Sequence, residues 1–302
     1  MNYEDITITS RDHYRLSARL FDTGSPKAVV NVLHGMEEHK ERYDRFASIL
    51  QENGFAVLTC DMRGHGKDAP HLSHIADKGG DRLLVEDVRC LSAWLRKRYP
   101  GTLQYLFAHS MGTIIARRVL QSDSRYYDKV ILSGYPVPQK AAAAGILLSG
   151  VVSMLCREGK KGRSAMVTNM AMGGFSKAVK DAKTPLDWLS YNDENVRKYQ
   201  DDPLCGRKFT LGSYDALFRL VRDIANPDLC RNVRNDLPML LISGEDDPCT
   251  GGESGRQTSL KALRDSGFEN IEVVTLDNMR HEILNEKDHD KAEQAILGFM
   301  EQ

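Results

Sequence analysis

Short, nearly continuous apolar runs alternate with amphipathic helical patterns along most of this chain of 302 residues. An apolar run without polar alternation indicates a strand buried on both faces, as in a parallel sheet that helices cover on both sides. The pattern predicts an α/β fold with a mostly parallel central sheet. Predicted strands lie at 27–33, 55–61, 103–109, 128–134, 238–244 and 271–276, predicted helices at 43–54, 81–99, 112–121 and 259–267, and a predicted antiparallel pair of strands at 4–10 and 13–21.

One long interval breaks this alternation. Between Ser133 and Asn235 the chain contains no convincing buried strand. This interval holds the apolar run 141–156, the basic stretch 157–163 and the polar helical pattern 191–200. We therefore expect residues 135–235 to form a helical cap, inserted into a core made of residues 1–134 and 236–302.

Charge and cysteine content exclude several classes of protein. The formal net charge is −1 and no long basic stripe occurs, which argues against nucleic acid as the main partner. The six cysteines lack the close spacing of a zinc site or a disulfide framework, so we expect reduced thiols and no bound metal. The start of the chain lacks an apolar signal-peptide core, and the longest apolar run, 141–156, is shorter than the roughly 20 residues of a membrane span. These features predict a cytoplasmic protein.

Ser110 lies where the predicted strand 103–109 meets a predicted helix. Small residues, Ala108 and Gly112, stand two positions to either side of it. A serine at such a junction is either a helix N-cap or an exposed nucleophile on a tight turn whose flanking positions exclude bulky side chains. The small-x-Ser-x-small spacing in this context favours the nucleophile.

A serine nucleophile needs a histidine base and an acid that orients the base, here expected in the chain order Ser, acid, His. Only His281 and His289 follow Ser110. His289 begins a polar helical pattern and is interpreted as a surface residue, whereas His281 lies in the loop after the last predicted strand. The acid should follow the preceding strand, and spacing alone leaves three carboxylates open there, Glu245, Asp246 and Asp247.

An oxyanion intermediate needs two backbone N–H donors. We expect one from Met111, directly after the nucleophile, and one from Met36, in the loop after the strand at 27–33. His34 and Gly35 precede Met36 and are predicted to contact substrate. A metal-binding role for His34 is the weaker hypothesis, because no further ligands accompany it. The Gly-rich stretch 60–68 lacks the lysine spacing of a phosphate-binding loop.

Five segments together resemble the monoacylglycerol lipase/lysophospholipase group of α/β-hydrolases, which is related to the serine aminopeptidase clan. They are HGMEEHKERY (34–43), DMRGHGKD (61–68), AHSMG (108–112), SGEDDP (243–248) and RHEILNE (280–286). The resemblance implies a catalytic triad, an acyl-enzyme intermediate and no cofactor, and its spacing places the acid on Asp247. Two positions depart from the group: Ala108 stands where glycine is usual, and Asp68 where serine is usual.

The leading hypothesis is a serine hydrolase of small-molecule acyl esters such as a monoacylglycerol or lysophospholipid. The apolar run 141–156, with Ile146 and Leu147, is expected to line the acyl site and to touch lipid surfaces, although simple packing against the core explains it equally well. An aminopeptidase or amidase is the second hypothesis, with Glu194 or Asp201 holding the substrate amine. A non-catalytic binding protein of the same fold is the third.

Overall fold

The computed structural model describes residues 2–139, 141–180 and 182–302. Its centre is an eight-stranded sheet in the order β1-β2-β4-β3-β5-β6-β7-β8. The first two strands form the predicted antiparallel pair, and the sheet is mostly parallel, as predicted. The second strand is also antiparallel to its other neighbour, which was not predicted, and all remaining pairs are parallel. The strands are β1 (Glu4–Thr9), β2 (Arg15–Phe21), β3 (Ala28–Leu33), β4 (Ala56–Cys60), β5 (Leu103–His109), β6 (Lys129–Ser133), β7 (Met239–Gly244) and β8 (Ile271–Leu276).

Burial explains why most residues of the middle strands are apolar. Every residue of β3, β4 and β7 is buried, whereas no residue of the edge strand β8 is fully buried. The helices are α1 (Asp44–Glu52), α2 (Gly80–Arg98), α3 (Met111–Asp123), α4 (Ala142–Leu155), α5 (Ala165–Met172), α6 (Phe175–Ala178), α7 (Asp193–Asp201), α8 (Leu211–Asp223), α9 (Gly252–Asp265) and α10 (His289–Glu301).

Helices cover both faces of the sheet, which confirms the predicted α/β architecture. Phe107 of β5 packs with side chains of α1 and α10 on one face. Its neighbour Leu106 packs with α2, α3 and α8 on the other. Successive side chains of a strand point to opposite faces, so one strand contributes to both apolar layers.

Residues 135–235, called the cap segment below, contain α4 to α8 and no strand within the described ranges. Side chains of α8, including Leu217 and Phe218, belong to the same apolar cluster as α2 and α3. The cap segment is therefore continuous with the core through α8. Among the helices of the described ranges, none has both the length and the apolar character that a bilayer crossing requires.

Candidate active site

Ser110 occupies the tight turn between β5 and α3, with φ 52° and ψ −119°. Few residues other than glycine adopt a positive φ, and strain of this kind is concentrated at functional sites. Gly112 permits the turn, because a Cβ there would lie 2.5 Å from the carbonyl oxygen of Leu33. Ala108 is fully buried in the apolar core, so its methyl group is accommodated where glycine is usual. The Ser110 side chain borders a cavity.

His281 and Asp247 form a buried pair. His281 Nδ1 lies 2.9 Å from Asp247 Oδ2, and the other carboxylate oxygen accepts the backbone N–H of Cys249 at 2.8 Å. Burial by itself lowers the pKa of His281, but the charge and hydrogen bond of Asp247 more than offset this and raise that pKa above its usual value. The carboxylate therefore favours the imidazolium form that a general base passes through.

The structure separates the three carboxylates that spacing left open. Asp246 accepts a hydrogen bond from the Tyr191 hydroxyl at 2.8 Å and is exposed, as is Glu245. Asp247 alone among them contacts His281. The turn after β7 packs closely against the loop that carries His281, since a Cβ at Gly244 would lie 2.2 Å from the Met279 carbonyl oxygen.

Two aromatic rings hold the His281 imidazole. The ring of Trp188, from the cap segment, has its centroid 5.0 Å from that of His281, and the His109 ring lies at 4.6 Å. Burial and the nearby charge of His281 lower the pKa of His109 to about 4, so His109 packs as a neutral ring. Trp188 was not predicted as a site residue, because nothing local to residues 186–190 marks it as adjacent to a loop at 281.

The loop after β3 brings Gly35 and Met36 to the cavity beside Ser110. A Cβ at Gly35 would lie 3.2 Å from Ser110 Cβ, so glycine allows this close approach. Met111, the residue after Ser110, also borders the cavity. The structure thus brings together the two residues predicted to donate N–H groups to an oxyanion.

His34 lies behind this loop, and it is not among the residues that line the cavity. Its Nδ1–H donates to the Gly35 carbonyl oxygen at 2.7 Å, and its Nε2 accepts the Met62 N–H at 2.9 Å. Burial lowers the pKa of His34 to about 3, which keeps the ring neutral and suited to both bonds. The expected substrate contact is therefore corrected: His34 shapes the loop through its two ring nitrogens.

A buried ion network connects the two loops of the site. Arg42 makes bonds of 2.6 and 2.7 Å to the Glu282 carboxylate and one of 2.9 Å to Glu38. Glu38 accepts the backbone N–H of Gly35, and Asn195 of α7 donates to Glu282 at 2.7 Å. Burial alone would raise the pKa of Glu282, yet the charge and hydrogen bonds of Arg42 hold that pKa well below its usual value. This network was not predicted, because its members are far apart in sequence.

The cavity has a volume of about 280 Å³, and the cap segment forms most of its apolar wall. Its polar lining includes Glu37, Tyr199 and Lys208, and both Tyr199 and Lys208 donate hydrogen bonds to Glu37. Burial raises the pKa of the Glu37 carboxyl, against the pull of the Lys208 ammonium, which lies 3.5 Å away. The apolar lining includes Met170, Met172, Phe175, Trp188, Leu217, Phe218 and Val221.

The prediction that Ile146 and Leu147 line the substrate site is corrected. Neither is among the cavity-lining residues; Ile146 packs against the core cluster and Leu147 is 69% exposed. Helix α4 is apolar on all sides, so its sequence pattern does not indicate which side faces a cavity. Residues 168–173, near the end of α5, form that part of the wall instead.

The two carboxylates considered for holding a substrate amine also lie outside the cavity. Glu194 and Asp201 are exposed on α7, where Glu194 pairs with Lys198 at 2.8 Å. An exposed pair at helical spacing is typical of a solvated helix face. These positions provide no support for the aminopeptidase hypothesis.

A parallel sheet with helices on both faces, a serine on the strained turn after β5 and a His–Asp pair on the loops after β8 and β7 define an α/β-hydrolase. The family profile described as serine aminopeptidase, S33, matches residues 24–288. The chain belongs to this family.

Named relatives agree with the fold and refine the class. The chain is 28% identical to monoglyceride lipase of Mus musculus over 255 residues, covering 81% of this chain and 74% of the relative. It is 27% identical to monoacylglycerol lipase of Mycolicibacterium smegmatis, with coverages of 86% and 83%. A thermostable carboxyl esterase from Bacillus coagulans, solved with glycerol, superposes with a TM-score of 0.89 at 25% identity, covering 100% of this chain and 98% of that chain. The chain is an ester hydrolase of the α/β-hydrolase class.

Proposed function

We propose that the protein hydrolyses acyl esters of glycerol-like alcohols, with Ser110 as nucleophile, His281 as general base and acid, and Asp247 as the group that orients His281. The observation that carries the proposal is the meeting of three features at one cavity. Ser110 on its strained turn, His281 with its 2.9 Å contact to Asp247, and the residues expected to donate N–H groups to an oxyanion, Met36 and Met111, all border this cavity.

The chemistry follows from these positions. His281 Nε2 takes the Ser110 hydroxyl proton as the oxygen attacks the ester carbonyl, and backbone N–H groups of Met36 and Met111 stabilise the resulting oxyanion. His281 then gives the proton to the leaving alcohol, which leaves an acyl group on Ser110. Water attacks this acyl-enzyme, again giving its proton to His281, and release of the fatty acid restores the serine.

The apolar and the polar lining of the cavity suit the two parts of such a substrate. The methionine, phenylalanine and leucine side chains of the cap segment offer an apolar wall for an acyl chain, at about 0.8 kcal/mol per buried methylene. Tyr199, Lys208 and Glu37 offer hydrogen bonds to the hydroxyl groups of an alcohol. The names of the relatives, monoglyceride lipase and monoacylglycerol lipase, support the same class of ester.

We also propose that residues 135–235 act as a cap over a core made of 1–134 and 236–302, and that α4 contacts lipid surfaces. Leu147, Val151, Met154 and Leu155 are exposed, and their spacing places them along one side of the helix. The basic stretch 157–163 follows directly, and its charges favour an anionic surface. An exposed apolar patch with a basic border is typical of a membrane-contacting surface.

A panel of monoacylglycerols, lysophospholipids and aminoacyl arylamides tests the proposed substrate class. We expect the highest kcat/KM on a monoacylglycerol and loss of all turnover in Ser110→Ala. Preference for an arylamide would overturn the ester assignment in favour of an amidase. Absence of turnover on the whole panel, including a short-chain aryl ester, would favour the binding-protein hypothesis.

A further inference from the structure

Three potential metal ligands come together away from the candidate active site. They are His39, in the loop after β3, and Asp202 and Cys205, which follow α7 in the cap segment. One ligand atom from each lies within 4.8 Å of the other two. His39 and Cys205 are buried, whereas Asp202 is partly exposed and leaves a route from solvent.

The two nitrogens of His39 both face carboxylates. Nδ1 lies 2.6 Å from Glu41 Oε2, and Nε2 lies 2.7 Å from Asp202 Oδ2. A neutral imidazole carries one N–H, and an ionised carboxylate only accepts hydrogen bonds. If Nδ1–H donates to Glu41, a neutral ring has no further N–H for Asp202, so a cation must lie between Nε2 and the Asp202 carboxylate. That cation is either a proton or a metal ion.

The Cys205 thiol distinguishes these two occupants. With a proton between Nε2 and Asp202, the thiol keeps its own proton and donates it to the Asp202 carboxylate, whereas a zinc-type ion binds sulfur, nitrogen and oxygen together as ligands. The Glu41 contact adds the outer support that metal-binding histidines commonly have, a carboxylate accepting the N–H of the other ring nitrogen.

We propose that His39 Nε2, the Asp202 carboxylate and Cys205 Sγ bind a zinc-class divalent cation, with Glu41 orienting His39. Water completes the tetrahedron. On binding, His39 releases its Nε2 proton and Cys205 its thiol proton to solvent, and the ion takes their places. At metal–ligand distances of about 2.0–2.3 Å, the nitrogen and the oxygen move apart to about 3.3 Å.

Such a site would fasten the cap segment to the loop that carries Met36. Residues 39 and 202 are 163 positions apart, which is why the spacing of cysteines and histidines in the sequence gave no indication of it. The proposal does not depend on the proposed ester substrate. A second group, Asp247, Cys249 and His281, has the same ligand types but belongs to the candidate active site, so the test must separate the two.

Cobalt provides a direct test, because thiolate-bound Co²⁺ absorbs in the near ultraviolet and Zn²⁺ displaces it. We expect the full-length, chelator-treated protein to bind one Co²⁺ with this absorption, and Zn²⁺ to abolish it. Cys205→Ser should remove the absorption, and Cys249→Ser, the matched control from the other group, should retain it. Zn²⁺ at 100-fold above its Kd should raise the wild-type Tm by about 5 °C.

His39→Gln keeps every cysteine and provides a second test if Cys205→Ser folds poorly. We expect it to weaken Co²⁺ binding at least about tenfold, since one of three protein ligands is lost. Absence of thiolate absorption in the wild type would show that a proton occupies the site and overturn the proposal. Absorption that survives in Cys205→Ser, or disappears in Cys249→Ser, would assign the metal to the active-site group and overturn it equally.

Discussion

The two sides of the cavity are built differently. On the core side, a strained turn and short polar contacts fix Ser110, His281 and Asp247 at the ends of strands. On the cap side, the wall is made mainly of flexible or aromatic apolar side chains from residues 168–188 and α8. Methionine side chains adapt their shape at little cost, whereas a reacting constellation must keep its geometry. Under the proposed function, the core therefore carries the cleavage chemistry and the cap segment selects the ester.

Replacing Ser110 tests the core side most directly. Ser110→Ala should reduce kcat/KM by about 10⁵-fold or more, because the nucleophile is lost while the fold is kept. A fluorophosphonate should label the wild type at Ser110 and leave the variant unlabelled. Ser176→Ala, on the cap side of the same cavity, is the matched control and should stay within about threefold of the wild type. Labelling that persists in Ser110→Ala would disprove the assignment.

Asp247→Asn should lower kcat by about 10⁴-fold, because the amide misorients the His281 ring. The same change should move the acidic limb of the pH profile. Asp247 raises the pKa of His281, and His281 acts as a base only when it is neutral. Without the Asp247 carboxylate, the effect of burial dominates and lowers the pKa of His281. The acidic limb of the pH profile therefore shifts to lower pH.

Asp246→Asn is the control, since Asp246 contacts Tyr191 and not His281. The kcat and the pH profile of this variant should resemble those of the wild type. A large loss there, with Asp247→Asn near normal, would show that the acid is Asp246.

Arg42→Met breaks the network that joins the two sides. It leaves Glu38 and Glu282 buried without their cation, so the free energy of unfolding should fall by about 3–5 kcal/mol. Because the pKa of Glu282 is lowered in the folded protein, its ionised carboxylate stabilises the fold at pH values above its pKa in the unfolded chain. This stabilisation is lost as the pH falls through the pKa of Glu282 in the folded protein. The free energy of unfolding, measured with urea between pH 7 and pH 3, should therefore change less with pH in the variant than in the wild type. Lys198→Met, which removes an exposed ion pair with Glu194, should leave the free energy of unfolding close to that of the wild type.

The outer surface of α4 is tested by Leu147→Asp/Leu155→Asp. Both side chains are exposed, at 69% and 83%, so folding should be unaffected. Binding to vesicles of anionic phospholipid should fall about 30-fold, from about 1 kcal/mol lost at each position. Hydrolysis of a soluble short-chain ester should not change, because neither residue lines the cavity. Unchanged vesicle binding would remove α4 from the proposed lipid surface.

The smallest effect is expected at the apolar wall. Met170→Ala should lower kcat/KM about fivefold for long-chain esters, because roughly 1 kcal/mol of apolar contact is lost. Acetate esters should be unaffected. Met154→Ala is a matched control, since Met154 is a methionine on the outside of the cap segment and 79% exposed. If kcat/KM depended on the length of the acyl chain in the same way in both variants, this would contradict the assignment of acyl specificity to this wall.

The sequence alone determined the features that depend on short-range physics. Strand and helix periodicity located the described strands, and small residues two positions from Ser110 marked its turn, because sterics act between near neighbours. The position of α9 was less well predicted, since this helix begins at Gly252, before its apolar pattern starts. The chain order of Ser, acid and His limited the base to His281 or His289, and the polar helical pattern at His289 favoured His281, but selecting Asp247 among three carboxylates needed the resemblance.

Tertiary structure decided which surfaces meet. It directed Ile146 and Leu147 away from the cavity, placed Trp188 on His281, and connected Glu38 with Glu282 through Arg42. It also gathered His39, Asp202 and Cys205 from two distant segments. A helix that is apolar on every side has no preferred face until its neighbours are in place. The sequence around a polar residue likewise does not indicate a partner 163 positions away. Such contacts are set by the packing of whole elements, which local sequence patterns do not specify.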